Sequence, residues 1–216
     1  MTSAHDVALA IEAGADAVGI IVSQSARRVA ADAVETILDA VPPFVSAVIV
    51  SADETDVDLA ALAARGALLQ FSGEEPPERC ERLASGRRYV KAFHVRAEDG
   101  RATFDRETLA AYVRALPLID SSFGDARGGT GRTFDWRIAQ ALARERPTIV
   151  SGGLTPDNVG ACVRTVRPYA VDVRGGIETG GEKDPAKMRA FVRAVRDADD
   201  MPDVDRTVPV RAMPNA

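Results

Sequence analysis

Apolar positions along this chain alternate between two rhythms. Val7, Ala8, Ile11 and Ala15 recur at helical spacing, behind Thr2 or Ser3 as a candidate N-cap and with Gly14 to end the helix. A nearly continuous apolar run over 16–22 follows and reads as a buried strand. The same exchange then repeats. The pattern predicts helices over 30–40, 57–65, 76–83, 106–115, 134–144, 156–166 and 185–195. Between them it predicts strands over 45–50, 67–71, 89–95, 116–120, 148–151 and 170–173. No shift of composition marks a second domain, so residues 1–198 are expected to form one α/β unit. Over 199–216 the pattern stops, three prolines appear, and a disordered tail is expected.

Strict strand–helix alternation over this length predicts a TIM-type (β/α)8 barrel with a parallel sheet. The count falls one short: about seven strands against about eight helices, where closure needs eight of each. The absent piece is the strand before the first helix. Such a sheet would expose two edges of unpaired backbone.

Composition narrows the function. The chain has 216 residues and a formal net charge of -5, with no block of Lys and Arg to cover phosphates, so a nucleic-acid surface is not expected. The longest apolar stretch, around 41–50, is too short for a bilayer and contains Pro42 and Pro43. Cys80 and Cys162 are far apart, in no metal spacing, and fit a reducing, cytoplasmic setting. Low aromatic content, 5%, with a core of Ala and Val, suits a sheet covered by helices.

Three stretches carry candidate chemistry. The apolar run 116–120 delivers Asp120 to its C-terminal end, and a loop with Gly124, Gly128, Gly129 and Gly131 follows before Thr133 or Asp135 can cap a helix. An acid at a strand end under a glycine loop suits a parallel α/β enzyme, although the loop could equally be a plain connection. Gly152 and Gly153 end the next strand, with Thr155 placed to cap and Pro156 at the first helical position. Gly175 and Gly176 repeat the device one strand later, after Asp172. Glycine turns near helix starts favour an anion, and barrels build phosphate sites from their last two loops. Each pair alone could be a simple turn; two in the last two units strengthen each other.

These motifs in this order resemble the phosphoribosylanthranilate isomerase family of tryptophan biosynthesis. The resemblance runs through AGADAVGIIV (13–22), SARRV (25–29), LQFSG (69–73), LPLID (116–120), GGTGRTFDW (128–136), SGGLTPDNV (151–159) and VDVRGGIE (171–178) with GEKD (181–184). It implies an Amadori rearrangement of N-(5'-phosphoribosyl)anthranilate to 1-(2-carboxyphenylamino)-1-deoxyribulose 5-phosphate, with no metal or organic cofactor. An acid protonates the ring oxygen, and a base then removes the proton on C2. By this resemblance Asp120 is the catalytic acid and Arg27 grips the anthranilate carboxylate. Asp172 faces the substrate, Gly152, Gly153, Gly175 and Gly176 hold its phosphate, and Gly129 belongs to the substrate-binding loop. The implied partner is this small molecule, on a monomer or weak homo-oligomer.

The departures are specific. The family's base is a cysteine in a KxCGxT-like motif on the first strand; only its threonine has a counterpart, Thr2. Cys80 and Cys162 fall on predicted helices as core residues rather than substitutes. His94 ends a predicted strand and could face the site, while His5 is expected at the surface. Ser72 stands where the family usually has histidine, Arg174–Gly175 where it has two serines, and Ala26 where it has proline. The expectation is that Met1 is an internal methionine and that the missing strand is encoded upstream. A short inactive paralogue, or a strand supplied by the tail despite Pro209, are the other accounts. Without a positioned base, turnover is expected to fall about two to four orders of magnitude. A non-catalytic phosphate-ligand binder and a sister barrel isomerase of histidine biosynthesis are the alternative functions.

Overall fold

The structure is a computed structural model and describes residues 1–53, 55, 57–96, 102, 104–123, 126–127 and 133–200. The tail beyond residue 200 and the loop glycines Gly124, Gly128, Gly129 and Gly131 lie outside the described residues.

The elements follow the alternation. In order they are α1 (Ala4–Ala13), β1 (Ala17–Ile21), α2 (Ala31–Asp39), β2 (Ser46–Ser51), α3 (Leu59–Ala64), β3 (Leu68–Phe71), α4 (Pro77–Leu83), β4 (Tyr89–Arg96), α5 (Arg106–Ala111) and β5 (Ala115–Phe123). There follow β6 (Ala126–Arg127), α6 (Arg137–Ala143), β7 (Ile149–Val150), α7 (Val159–Val166), β8 (Ala170–Val171), a 3-10 turn (Gly175–Ile177), β9 (Glu178–Thr179), β10 (Glu182–Lys183) and α8 (Pro185–Asp199). Seven strands, β1 to β5, β7 and β8, pair in parallel and in chain order. Among the described residues β1 and β8 do not pair with each other, so the sheet curls as an open barrel. Met1 lies beside β1, its amine donating to the Gly19 carbonyl.

Local chemistry explains the helix starts. Ser3 Oγ accepts the Asp6 amide while the Asp6 carboxylate accepts the Thr2 amide, a reciprocal cap at the head of α1. The carboxylates of Asp58, Asp105 and Asp184 accept first-turn amides of α3, α5 and α8, and Pro185 occupies the first turn of α8.

Three expected elements are corrected. The helix predicted over 106–115 stops at Ala111, because Tyr112 leaves helical geometry and turns inward to donate its hydroxyl to the Glu75 carbonyl at 2.9 Å. The strand expected to end at Asp120 continues to Phe123 and folds back as an antiparallel pair with β6, which satisfies backbone groups beyond the acid. Neither Thr133 nor Asp135 is the N-cap of the following helix: α6 starts at Arg137, behind Trp136, although the Asp135 carboxylate does accept the Arg137 amide.

The sheet separates two apolar regions. Tyr89, Phe93, Val95 and Ile119 join the large core beneath the helices. Their alternates Val90, Ala92 and Leu118 form a smaller cluster with Leu68, Leu116 and Ile149. A strand's side chains alternate between faces, so this second set marks the concave interior.

Candidate active site

Asp120 is in phase with Leu116 and Leu118 and so belongs to the concave face, near the C-terminal end of β5. His94 is in phase with Val90 and Ala92 and is the register partner of Asp120 on β4. The rim therefore brings an imidazole and a carboxyl side by side, and both ring nitrogens of His94 are buried.

Oδ1 of Asp120 is buried and accepts no hydrogen bond among the described residues. Burial, and next the neighbouring Asp172 carboxylate, push its pKa up to about 7, while the Arg174 guanidinium opposes them. Asp172 itself accepts a hydrogen bond from Ser151 Oγ at 2.9 Å, and its amide donates to the Val150 carbonyl at the end of β7. A carboxylic acid that keeps its proton near neutrality is suited to donate it.

The glycine turns sit beside this acid. Gly152 has φ +85, and a Cβ there would lie 2.6 Å from Asp120 Oδ1 and inside contact with the Ser121 backbone. Gly153 follows, its carbonyl accepting from Asn158 Nδ2 at 2.9 Å, while Asn158 Oδ1 accepts the Thr155 amide at 2.8 Å. That clasp corrects the expectation for Thr155 and Pro156: residues 156–158 form a turn, α7 begins at Val159, and Asn158 ties the loop. The second pair opens the 3-10 turn Gly175–Ile177. A Cβ on Gly176 would strike the Leu154 carbonyl and lie 3.1 Å from Thr155 Cα, so the two glycine loops touch backbone to backbone.

Arg27 is placed differently from its expected free grip. It reaches from the loop after β1 to Glu178, with Nε donating to Oε1 at 2.9 Å and Nη2 to Oε2 at 2.5 Å. Lys183 Nζ also donates to Glu178 Oε1, at 2.9 Å. Burial alone would raise the Glu178 pKa, but the hydrogen bonds from Arg27 and Lys183 outweigh it and hold the carboxyl below its ordinary value. Neither Glu178 nor Lys183 was singled out from the sequence. The available signal is a carboxylate two positions past a glycine pair, with Arg174 and Lys183 close by in the chain, since a buried acid requires cationic partners.

Cys80 and Cys162 lie on α4 and α7, fully buried, with thiols pushed up to about 12 by desolvation. Both are core residues remote from thiolate chemistry. His5 is exposed, as expected. Among the described residues no group of three His, Cys, Asp or Glu is arranged to hold a metal. A cleft of about 310 Å³ between α5 and α6, lined by apolar residues such as Leu109 and Ile138 and by the charged Asp105, Arg106, Glu145 and Arg146, lies on the outer helical layer and includes none of the rim residues.

Comparison with known proteins agrees with this arrangement. A family model described as N-(5'-phosphoribosyl)anthranilate (PRA) isomerase matches residues 1–194. A relative named N-(5'-phosphoribosyl)anthranilate isomerase, from Desulforudis audaxviator, is 42% identical over 192 residues, covering 88% of this chain and 91% of that one. The crystal structure of phosphoribosyl anthranilate isomerase from Thermotoga maritima superposes with a TM-score of 0.76 at 30% identity, covering 91% and 96% of the two chains. A further isomerase structure, in complex with reduced 1-(o-carboxyphenylamino)-1-deoxyribulose 5-phosphate, superposes with a TM-score of 0.72 at 29% identity over 91% and 95%. With its parallel barrel strands and its motifs matched across nine-tenths of its length, the chain belongs to the N-(5'-phosphoribosyl)anthranilate isomerase family, isomerases of tryptophan biosynthesis.

Proposed function

We propose that the C-terminal rim of the sheet binds N-(5'-phosphoribosyl)anthranilate and that Asp120 is the acid of its rearrangement to 1-(2-carboxyphenylamino)-1-deoxyribulose 5-phosphate. The observation that carries this reading is the placement of Asp120. It is a carboxyl with one oxygen buried and its pKa pushed up to about 7, packed against the first of two glycine turns that touch each other. The amides of Gly153, Gly175 and Gly176 hold the phosphate, where closely approaching backbone and fixed N–H dipoles suit an anion. That anchors the ribose so that its ring oxygen meets the protonated Asp120. Proton transfer opens the ring to a Schiff base, the nearby Asp172 carboxylate stabilises the positive charge that develops on nitrogen, and the C2 proton then leaves to a base, a role to which no described residue is assigned. Arg27 takes the anthranilate carboxylate. Gly129 is assigned to the same ligand by resemblance. No metal or organic cofactor is required for this chemistry.

The chain acts in the cytoplasm on this reading, as a monomer or weak homo-oligomer, with residues 1–198 as one unit. Two buried free thiols fit a reducing compartment. No described helix is long and apolar enough to cross a membrane.

Calorimetric titration with reduced 1-(o-carboxyphenylamino)-1-deoxyribulose 5-phosphate, alongside an isomerase assay, tests the proposal. Binding that is weakened by Arg27→Ala is expected, together with a turnover that is about two to four orders of magnitude low for want of an assigned base and that falls further in Asp120→Asn. Binding without turnover in the unsubstituted chain assigns the alternative, a phosphate-ligand binder. Failure to bind the analogue overturns both.

A further inference from the structure

Arg27 carries more hydrogen-bonding capacity than Glu178 uses. A guanidinium has five N–H donors in one plane, arranged as two forks. The Nε and Nη2 edge is committed to the two oxygens of Glu178, at 2.9 and 2.5 Å. Among the described residues Nη1 donates to nothing, so the end-on fork of Nη1 and Nη2 is open to a second carboxylate.

The charge count favours that second carboxylate. An arginine paired with one glutamate is neutral and would attract an anion weakly. Here Lys183 Nζ shares the same carboxylate, at 2.9 Å from Oε1, so the cluster of Arg27, Lys183 and Glu178 keeps a net positive charge. Glu178 and Lys183 side chains are only 5% and 11% exposed, which limits screening by solvent.

The cluster also reaches the glycine turn. Glu178 directly follows Gly175–Ile177, Lys183 Nζ lies 3.4 Å from the Arg174 carbonyl, and Lys187 Nζ donates to the Glu178 carbonyl at 2.7 Å. The residue that fixes the Arg27 plane is therefore built into the frame of the phosphate turn.

We infer that Glu178 is a positioning residue. It holds the Arg27 guanidinium so that its second fork faces the aryl carboxylate of the ligand, at a fixed span from the phosphate turn, while Lys183 keeps the cluster cationic. This inference rests on the function proposed above and names the device that recognises the carboxylate end of the same ligand.

The test compares two ligands by calorimetry: reduced 1-(o-carboxyphenylamino)-1-deoxyribulose 5-phosphate, and the same compound lacking the ring carboxyl. Removing the Glu178 charge should, by Coulomb attraction alone, tighten the carboxylated ligand. Positioning demands the opposite. In Glu178→Gln the carboxylated ligand is expected to weaken by about tenfold, the order of one charge-assisted hydrogen bond, with the decarboxylated one within about twofold of wild type. Arg27→Lys keeps the charge, loses the fork and should show the same split. The double variant should lose no more than Arg27→Lys alone, because Glu178 acts only through Arg27. Tighter binding of the carboxylated ligand in Glu178→Gln overturns the inference, as does equal weakening of both ligands. If the unsubstituted protein binds neither ligand, the proposed function itself has failed. If it binds both with equal affinity, only the carboxylate grip has failed.

Discussion

Gly152 and Asp120 touch across neighbouring strand ends so closely that a single methyl group on the glycine would stand 2.6 Å from the carboxylate oxygen. The acid is enclosed by backbone, which is why its charge is disfavoured. Gly152→Ala combines a left-handed φ of +85 with overlap onto the Ser121 backbone. It is expected to destabilise the fold by about 2–4 kcal/mol and to abolish binding of the product analogue. Urea unfolding and calorimetry check this; a variant of unchanged stability and affinity would refute the close packing.

Asp120 makes stability depend on pH. Below about pH 4 the carboxyl is protonated in both the folded and the unfolded chain. Above that, the unfolded chain ionises freely while the folded one holds its proton until about pH 7, so stability falls across the interval. A gap of about three pH units corresponds to about 4 kcal/mol lost by pH 8. Asp120→Asn carries no such cost and should overtake the wild type in urea midpoint between pH 5 and pH 8. Parallel pH profiles for the two proteins would count against a raised acid.

Beneath the helices, Glu75 and Lys91 form a buried ion pair at 3.3 Å, with side chains 1% and 4% exposed. Glu75 also accepts the amides of Asp53 and Gly73, at 2.8 and 3.0 Å, and so joins the loops after β2 and β3. Either Glu75→Gln or Lys91→Met strands a buried group, and each is expected to cost about 3–5 kcal/mol. The double variant should cost clearly less than the sum, since each single change already orphans the partner. Additive losses in urea unfolding would show that the pair is not coupled.

Both thiols should be silent in the folded protein. Cys80 and Cys162 are fully buried, with pKa values pushed up to about 12. Iodoacetamide at pH 8 should leave native protein unlabelled by mass spectrometry and add two labels in strong urea. Fast native labelling of either cysteine would place it on an accessible surface.

Much of the architecture follows from local signals. The seven parallel strands appear where the apolar runs predict them, because buried strands in such sheets read as continuous Val, Ile and Leu. Ser3, Asp58, Asp105 and Asp184 mark helix starts through short-range hydrogen bonds that need no tertiary partner. The boundaries that moved did so for tertiary reasons. Tyr112 leaves α5 to reach Glu75, 37 positions away, and β5 outruns Asp120 because β6 returns to pair with it.

From the sequence alone came the order of elements, the acid at the end of β5, the two glycine pairs at consecutive strand ends and the family they resemble. Each depends on residues close together in the chain, where propensity and periodicity act. Only the tertiary structure decided that Gly152 presses on Asp120, that Gly176 meets Leu154, and that Arg27 is held by Glu178, 151 positions away. Such pairings arise when the curled sheet brings distant strand ends onto one rim, and desolvation, which raises the Asp120 pKa, exists only once that rim has closed around it.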